Sequence, residues 1–187
     1  MATSAVPICN SALIKVGAER IDSLSDTTKR AVIVNEQYEK SRDDLMMSHP
    51  WNFAIARLEL AQSATDPVNG WDAAFTLTNN VLRVLEINDD DSLDWAVEGG
   101  YVVTDETSCT IKYIKKITDT TLFPKIFEEV LAWKLAADIC YAITQSSTLA
   151  DAIYKKYELH LAKARSFDSQ EGSGLAVEAD DWINARL

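Results

Sequence analysis

The chain has 187 residues, 47% hydrophobic and 25% charged, a balance that supports a packed core and excludes global disorder. Its formal net charge of -11 repels phosphate, which argues against a protein that grips nucleic acid or an anionic membrane. The same charge is compatible with DNA sliding past without sticking.

Residues 3–17 predict a short helix, with Ile8, Ala12 and Val16 on one face and Gly17 as its stop. Ser25 or Asp26 then offers an N-cap for a longer helix reaching about residue 48. Its apolar stripe is Ala31, Val34, Tyr38 and Leu45, with Glu36, Lys40, Arg42 and Asp43 expected away from it. Pro50 closes this helix, because the residue before a proline avoids the helical region.

The pattern changes between residues 66 and 121. Turn signals recur at roughly ten-residue intervals: Pro67, Asn69-Gly70, Asn79-Asn80, Asp89-Asp90-Asp91 and Gly99-Gly100. Between them lie β-branched and aromatic runs at 74–78, 81–87, 93–97, 101–104 and 110–117. This spacing predicts a small antiparallel meander. Helical periodicity returns after Pro124. Phe127, Leu131, Leu135, Ile139 and Ile143 form one face, and Val130, Trp133 and Ala137 widen it. So wide a stripe predicts the most buried helix. A last helix over 148–166 aligns Leu149, Ile153, Tyr157, Leu161 and Ala164. The segment 169–173 breaks that pattern, and a short tail follows, carrying Leu175, Val177, Trp182, Ile183, Arg186 and Leu187. Too short to fold alone, the tail either folds back on its own helices or docks on a partner.

The fold class expected is therefore α+β and mainly α. It is a four-helix bundle (1–65 and 122–170) with an inserted small antiparallel β-meander (66–121) and a C-terminal arm (171–187).

Motifs for chemistry are sparse. Cys9, Cys109 and Cys140 are odd in number, far apart and without a CxxC pair, so they predict buried thiols rather than a zinc site or a disulfide framework. His49, beside Pro50 and Trp51, reads as a helix C-terminal cation or a packing residue, and His160 as a boundary residue. Asp89, Asp90 and Asp91 open like a calcium loop. Leu93, Asp94 and Gly100 then occupy positions that need a ligand, a glycine and a glutamate, so a solvated tip is expected. Gly172-Ser173-Gly174 lacks the lysine and the strand-to-helix context of a phosphate loop. The neighbouring acids Glu128-Glu129 and Asp180-Asp181 diverge on a helix. No cofactor, metal site or catalytic set is expected. No basic stretch followed by an apolar run opens the chain, and no run of about 18 apolar residues occurs, so neither a secretory signal nor a membrane span is expected.

The first sixty residues carry a more specific pattern. Ile8-Cys9-Asn10-Ser11-Ala12-Leu13, Val16-Gly17 and Ile21-Asp22-Ser23-Leu24-Ser25-Asp26 are followed by Tyr38, Arg42, Leu45, the block His49-Pro50-Trp51-Asn52-Phe53-Ala54, Arg57 and Leu60. Further blocks are Trp71, Phe75-Thr76-Leu77, Leu82-Arg83-Val84-Leu85, Tyr113-Ile114 and Phe123-Pro124-Lys125-Ile126-Phe127. Together and in this order they resemble the tail tubular protein A family of podophages, the head-to-tail adaptors or gatekeepers. The chain departs from the family at Thr78, where a proline is common.

The resemblance implies a structural virion protein and not an enzyme. It implies a dodecameric ring between the portal protein and the tail nozzle protein, assembled in the host cytoplasm, with genomic DNA passing through its lumen. It also implies that the C-terminal arm docks on the portal. Asp89, Asp90 and Asp91 are the first candidates for acids lining the channel. Two rival classes are a tail-associated peptidoglycan hydrolase and a small helical interaction protein. Neither accounts for the blocks appearing together and in family order.

Overall fold

A computed structural model describes residues 5–65, 67 and 70–171. Helix α1 (Val6–Lys15) buries Ile8, Cys9, Ala12 and Leu13 and ends where Gly17 takes a φ of 76°. There the Ala18 amide reaches back to the Leu13 carbonyl, a closure that suits glycine because it lacks a Cβ. In the connection that follows, the Asn10 side chain clamps Ile21 twice, accepting from its amide and donating to its carbonyl, both at 2.9 Å. Asp26 folds back to accept from the Asp22 and Ser23 amides, and is therefore spent on this turn. The cap of α2 (Lys29–Met47) passes to Thr28, whose hydroxyl accepts from the Ala31 amide.

Along α2, the expected stripe of Ala31, Val34, Tyr38 and Leu45 is buried, and Ser41, Arg42 and Met46 are buried with it. The exposed position expected for Arg42 is thus corrected, since only 2% of the residue is accessible. The buried face is wide because α2 packs on the helix Lys125–Thr144 and also touches the strand Val81–Ile87. The Arg42 guanidinium pairs with Asp43 at 2.8 Å and lies over the Tyr38 ring, and Asp43 also receives Lys116 at 2.7 Å. The burial of Arg42 is tolerable because its charge is matched beside it.

Helix α3 (Lys125–Thr144) is the hub: α1, α2 and α4 (Ser147–Asp168) all pack against it. Its buried residues, Phe127 through Cys140, surround most of the helix, as its wide stripe predicts. The chain reverses at Gln145, left-handed at φ 54°, and Ser146 caps α4 through the Leu149 amide.

Among the described residues, six strands, β1 (Ile55–Glu59), β2 (Ala73–Thr76), β3 (Val81–Ile87), β4 (Trp95–Glu98), β5 (Tyr101–Thr104) and β6 (Thr110–Lys115), form two three-stranded antiparallel sheets. Their orders are β1-β6-β3 and β2-β5-β4. This overturns the four-helix bundle with an inserted meander. Only β4 and β5 pair as chain neighbours, across Gly99-Gly100 at φ 57° and 90°. β6 wedges between β1 and β3 because it is apolar on both faces. Ile111 and Tyr113 enter the core between the sheets, while Ile114 enters the helical core. A strand of that kind belongs in the middle of a sheet. β1 begins before the first turn signal of the β region, just after the Trp51 block. Beyond it the chain crosses to the second sheet, with Ser63 donating to Ala74 and Thr76 donating to Ala61. The described residues thus stack as helices, first sheet, second sheet, with one apolar core on each side of the first sheet.

No helix among the described residues is long and apolar enough to cross a membrane.

Candidate functional site

The block 49–52 is where distant parts of the chain are joined. Pro50 stops α2, and the chain then makes a single 3-10 turn, Asn52–Ala54, before entering β1. Trp51 is 1% exposed and donates its indole N–H at 2.9 Å to the Leu45 carbonyl near the end of α2, which the Ser48 hydroxyl also reaches at 2.8 Å. Its ring meets His49 and Phe127 edge-on at 4.8 and 5.3 Å, and Phe53 adds edge contacts to Phe123 and Phe127.

The end of α4 is bolted to the same block. The Asp168 carboxylate, itself buried, accepts from the Asn52 amide at 3.0 Å and from His49 Nε2 at 3.2 Å. In return the Asn52 side chain donates to the Asp168 carbonyl, and Arg165 donates to the Ser48 carbonyl at 3.0 Å. His49 thus packs at a helix end, with its ring on Trp51 and its Nε2 on Asp168. The predicted docking residues Leu175, Val177, Trp182, Ile183, Arg186 and Leu187 lie outside the described residues, as does the pair Asp180-Asp181. Asp168, the residue that makes this bolt, is the last residue of α4.

Asp89, Asp90 and Asp91 sit in the exposed connection from β3 to β4, which passes from one sheet to the other. Asn88 and Asp89 are both left-handed at φ 51°, a conformation that Asn and Asp tolerate best after glycine. Asn88 fixes the loop on β6, accepting from the Thr110 amide and donating to the Ser108 carbonyl. Asp89 takes the Arg57 guanidinium at 3.0 Å, which raises the pKa of Arg57. Asp90 accepts from the hydroxyl and the amide of Ser92, and these bonds hold its carboxyl below the usual carboxylate range. Two of the three carboxylates are thus committed to local partners, and no group of three His, Cys, Asp or Glu among the described residues converges as a metal site. Adding calcium in excess over protein is expected to leave the melting temperature unchanged; a rise would reveal a binding site in the loop.

Elsewhere the titratable groups are arranged for packing. Burial pushes the Cys9 thiol and the Tyr38 hydroxyl up to about 12 and the Cys109 thiol to about 11, so these groups stay protonated and unreactive near neutral pH. Glu128 pairs with Lys125, while Glu129 pairs with Lys15 and accepts from the Trp133 indole, so the two acids face different partners. His160 stacks on Trp133 at 5.1 Å, and Lys15 and Lys156 lie over the same ring.

No protein-family model and no curated protein matches this chain.

Proposed function

We propose that the chain is a structural subunit of a bacteriophage head-to-tail junction. Twelve copies form a ring between the portal protein and the tail nozzle, and the C-terminal arm of each copy docks on the portal. The observation that carries this reading is the block His49-Pro50-Trp51-Asn52, which resembles the adaptor family and which also holds the end of α4. A docking arm needs a rigid root, since a fixed departure point lowers the ordering cost of engaging a partner. Trp182 and Leu187 supply an aromatic and an aliphatic anchor for a groove. Twelve arms on one ring gain avidity, so each contact can be weak. The net charge of -11 suits a channel that passes DNA without holding it, with Asp89, Asp90 and Asp91 as the first acids to test there. The buried, protonated thiols and tyrosine argue for a scaffolding role over a catalytic one.

The test is to titrate the purified chain into portal rings from the same phage and to measure the mass of the complex. The full chain is expected to add twelve copies per portal ring, and a chain lacking residues 175–187 is expected to stay free. Failure of the full chain to bind portal would overturn the reading.

A further inference from the structure

Between the end of α1, the start of α2 and the last turn of α3 lies an open groove of about 240 Å³. Ala18, Ile33 and Ile143 give it an apolar lining, half-buried and packed against the helical core. Glu19, Lys29 and Arg30 supply its charges. Arg30 gives Nη1 to Glu19 at 2.8 Å, while its buried Nε has no acceptor among the described residues. Lys29 is exposed and makes no ion pair among them. A buried guanidinium N–H without an acceptor marks an unfinished site, because such groups are normally paired. A carboxylate would complete it, accepting from the planar fork of the guanidinium. The groove therefore calls for a segment that carries carboxylates beside large apolar side chains.

We propose that this occupant is the chain's own segment 178–183, in which Glu178, Asp180 and Asp181 stand directly before Trp182 and Ile183. Asp180 and Asp181 answer Lys29 and Arg30, and Trp182 and Ile183 cover Ala18, Ile33 and Ile143. The other stretches outside the described residues do not fit. Residues 1–4 carry no carboxylate, and 66, 68 and 69 are confined to the connection between β1 and β2. The reach is sufficient. α4 has 22 residues, roughly 33 Å, and its start follows the last turn of α3, so the groove lies toward the opposite end of α4 from Glu171. The ten residues from Glu171 to Asp181 span up to about 33–36 Å when extended. Taken with the portal reading above, on which this step rests, the contact is a latch that holds Trp182 until a portal displaces the arm. The contact itself does not depend on that reading.

The test is disulfide trapping in the full chain. Cys9, Cys109 and Cys140 are buried, so the introduced thiols react in their place. One chain carries Lys29→Cys with Asp180→Cys, and a control carries Asp151→Cys with Asp180→Cys. Asp151 lies near the start of α4, at the same end of the helices as the groove, so the two positions make similar demands on the tail's length. Lys29 and Asp151 are both exposed, and the melting curves are expected to match wild type. Each chain is oxidised with diamide at low concentration, and links within one chain are counted by mass spectrometry. The Lys29→Cys pair is expected to close at least about fivefold more often than the control, because a seated segment raises the local concentration of its thiol. Adding Asp181→Arg is expected to remove most of that excess, since it sets a cation against Arg30. Equal yields from the two pairs, or an excess that survives Asp181→Arg, would overturn the latch and leave the groove to an acidic segment of another chain. Links formed only between chains would overturn it as well, by placing the segment on a second copy. The mass of the portal complex tests the portal reading separately, and that reading stands if the latch fails.

Discussion

Replacing Trp51 with alanine is expected to cost about 3–5 kcal/mol of stability, the range for truncating a buried large aromatic. Three contributions meet at this residue. Its side chain is 1% exposed within the helical core, so truncation leaves a cavity that rigid neighbours cannot fill. Its indole N–H donates to the Leu45 carbonyl, which Ser48 also reaches, so removing the ring takes a matched donor–acceptor bond out of the core. Its ring sits edge-on to Phe127, and Phe127 in turn meets Phe53 and Phe123, so the loss spreads along an aromatic chain tying the start of β1 to α3. For a chain of this size the melting temperature is expected to fall by roughly 6–20 °C, read by calorimetry. Phe53→Ala is expected to cost less, because Phe53 is only half-buried. A Trp51→Ala chain that melts like wild type but no longer binds portal would make Trp51 a contact residue instead of a core residue.

What could be read from the sequence depended on how local the deciding interactions were. The β4–β5 hairpin was visible because Gly99-Gly100 separates two alternating runs, and that turn alone sets the pairing. α3 was visible because its apolar positions surround the helix. The sheet order was hidden, because β6 pairs with β1 and β3 across long stretches of chain, and no turn between neighbours encodes that choice. β1 was hidden by the aromatic block before it. Its signal is the alternation of Ala56, Leu58 and Leu60, which all pack into the core between the sheets. Arg42 was misplaced because a charge reads as solvent-facing until its partner is known, and Lys116, which completes the network through Asp43, is far away in sequence. The bolt between Asp168 and the 49–52 block could not be read either, since an aspartate at a helix end has no local feature that distinguishes a buried acceptor from a solvated one.

Asp168 gives the second large effect, and a sharper test of the proposed arm. Asp168→Ala removes the acceptor for the Asn52 amide and the partner of His49, in a place where water does not readily replace it. Bonds to a charged acceptor are among the stronger ones, and the loss is expected to cost about 2–3 kcal/mol. Asp168→Asn keeps a carbonyl oxygen for the Asn52 amide and is expected to recover part of that loss. The damage is expected to stay local, because the core of α3 and both sheets make no use of this carboxylate. Amide hydrogen exchange should therefore speed up in the last turn of α4 and at residues 49–53, with little change in α3 or the strands. If the bolt aims the arm, the same substitution should weaken portal capture at temperatures where the chain remains folded, because the arm's root then samples many directions and the ordering cost moves to the binding step. Faster exchange with unchanged portal affinity would mean that the latch stabilises the fold without directing the arm.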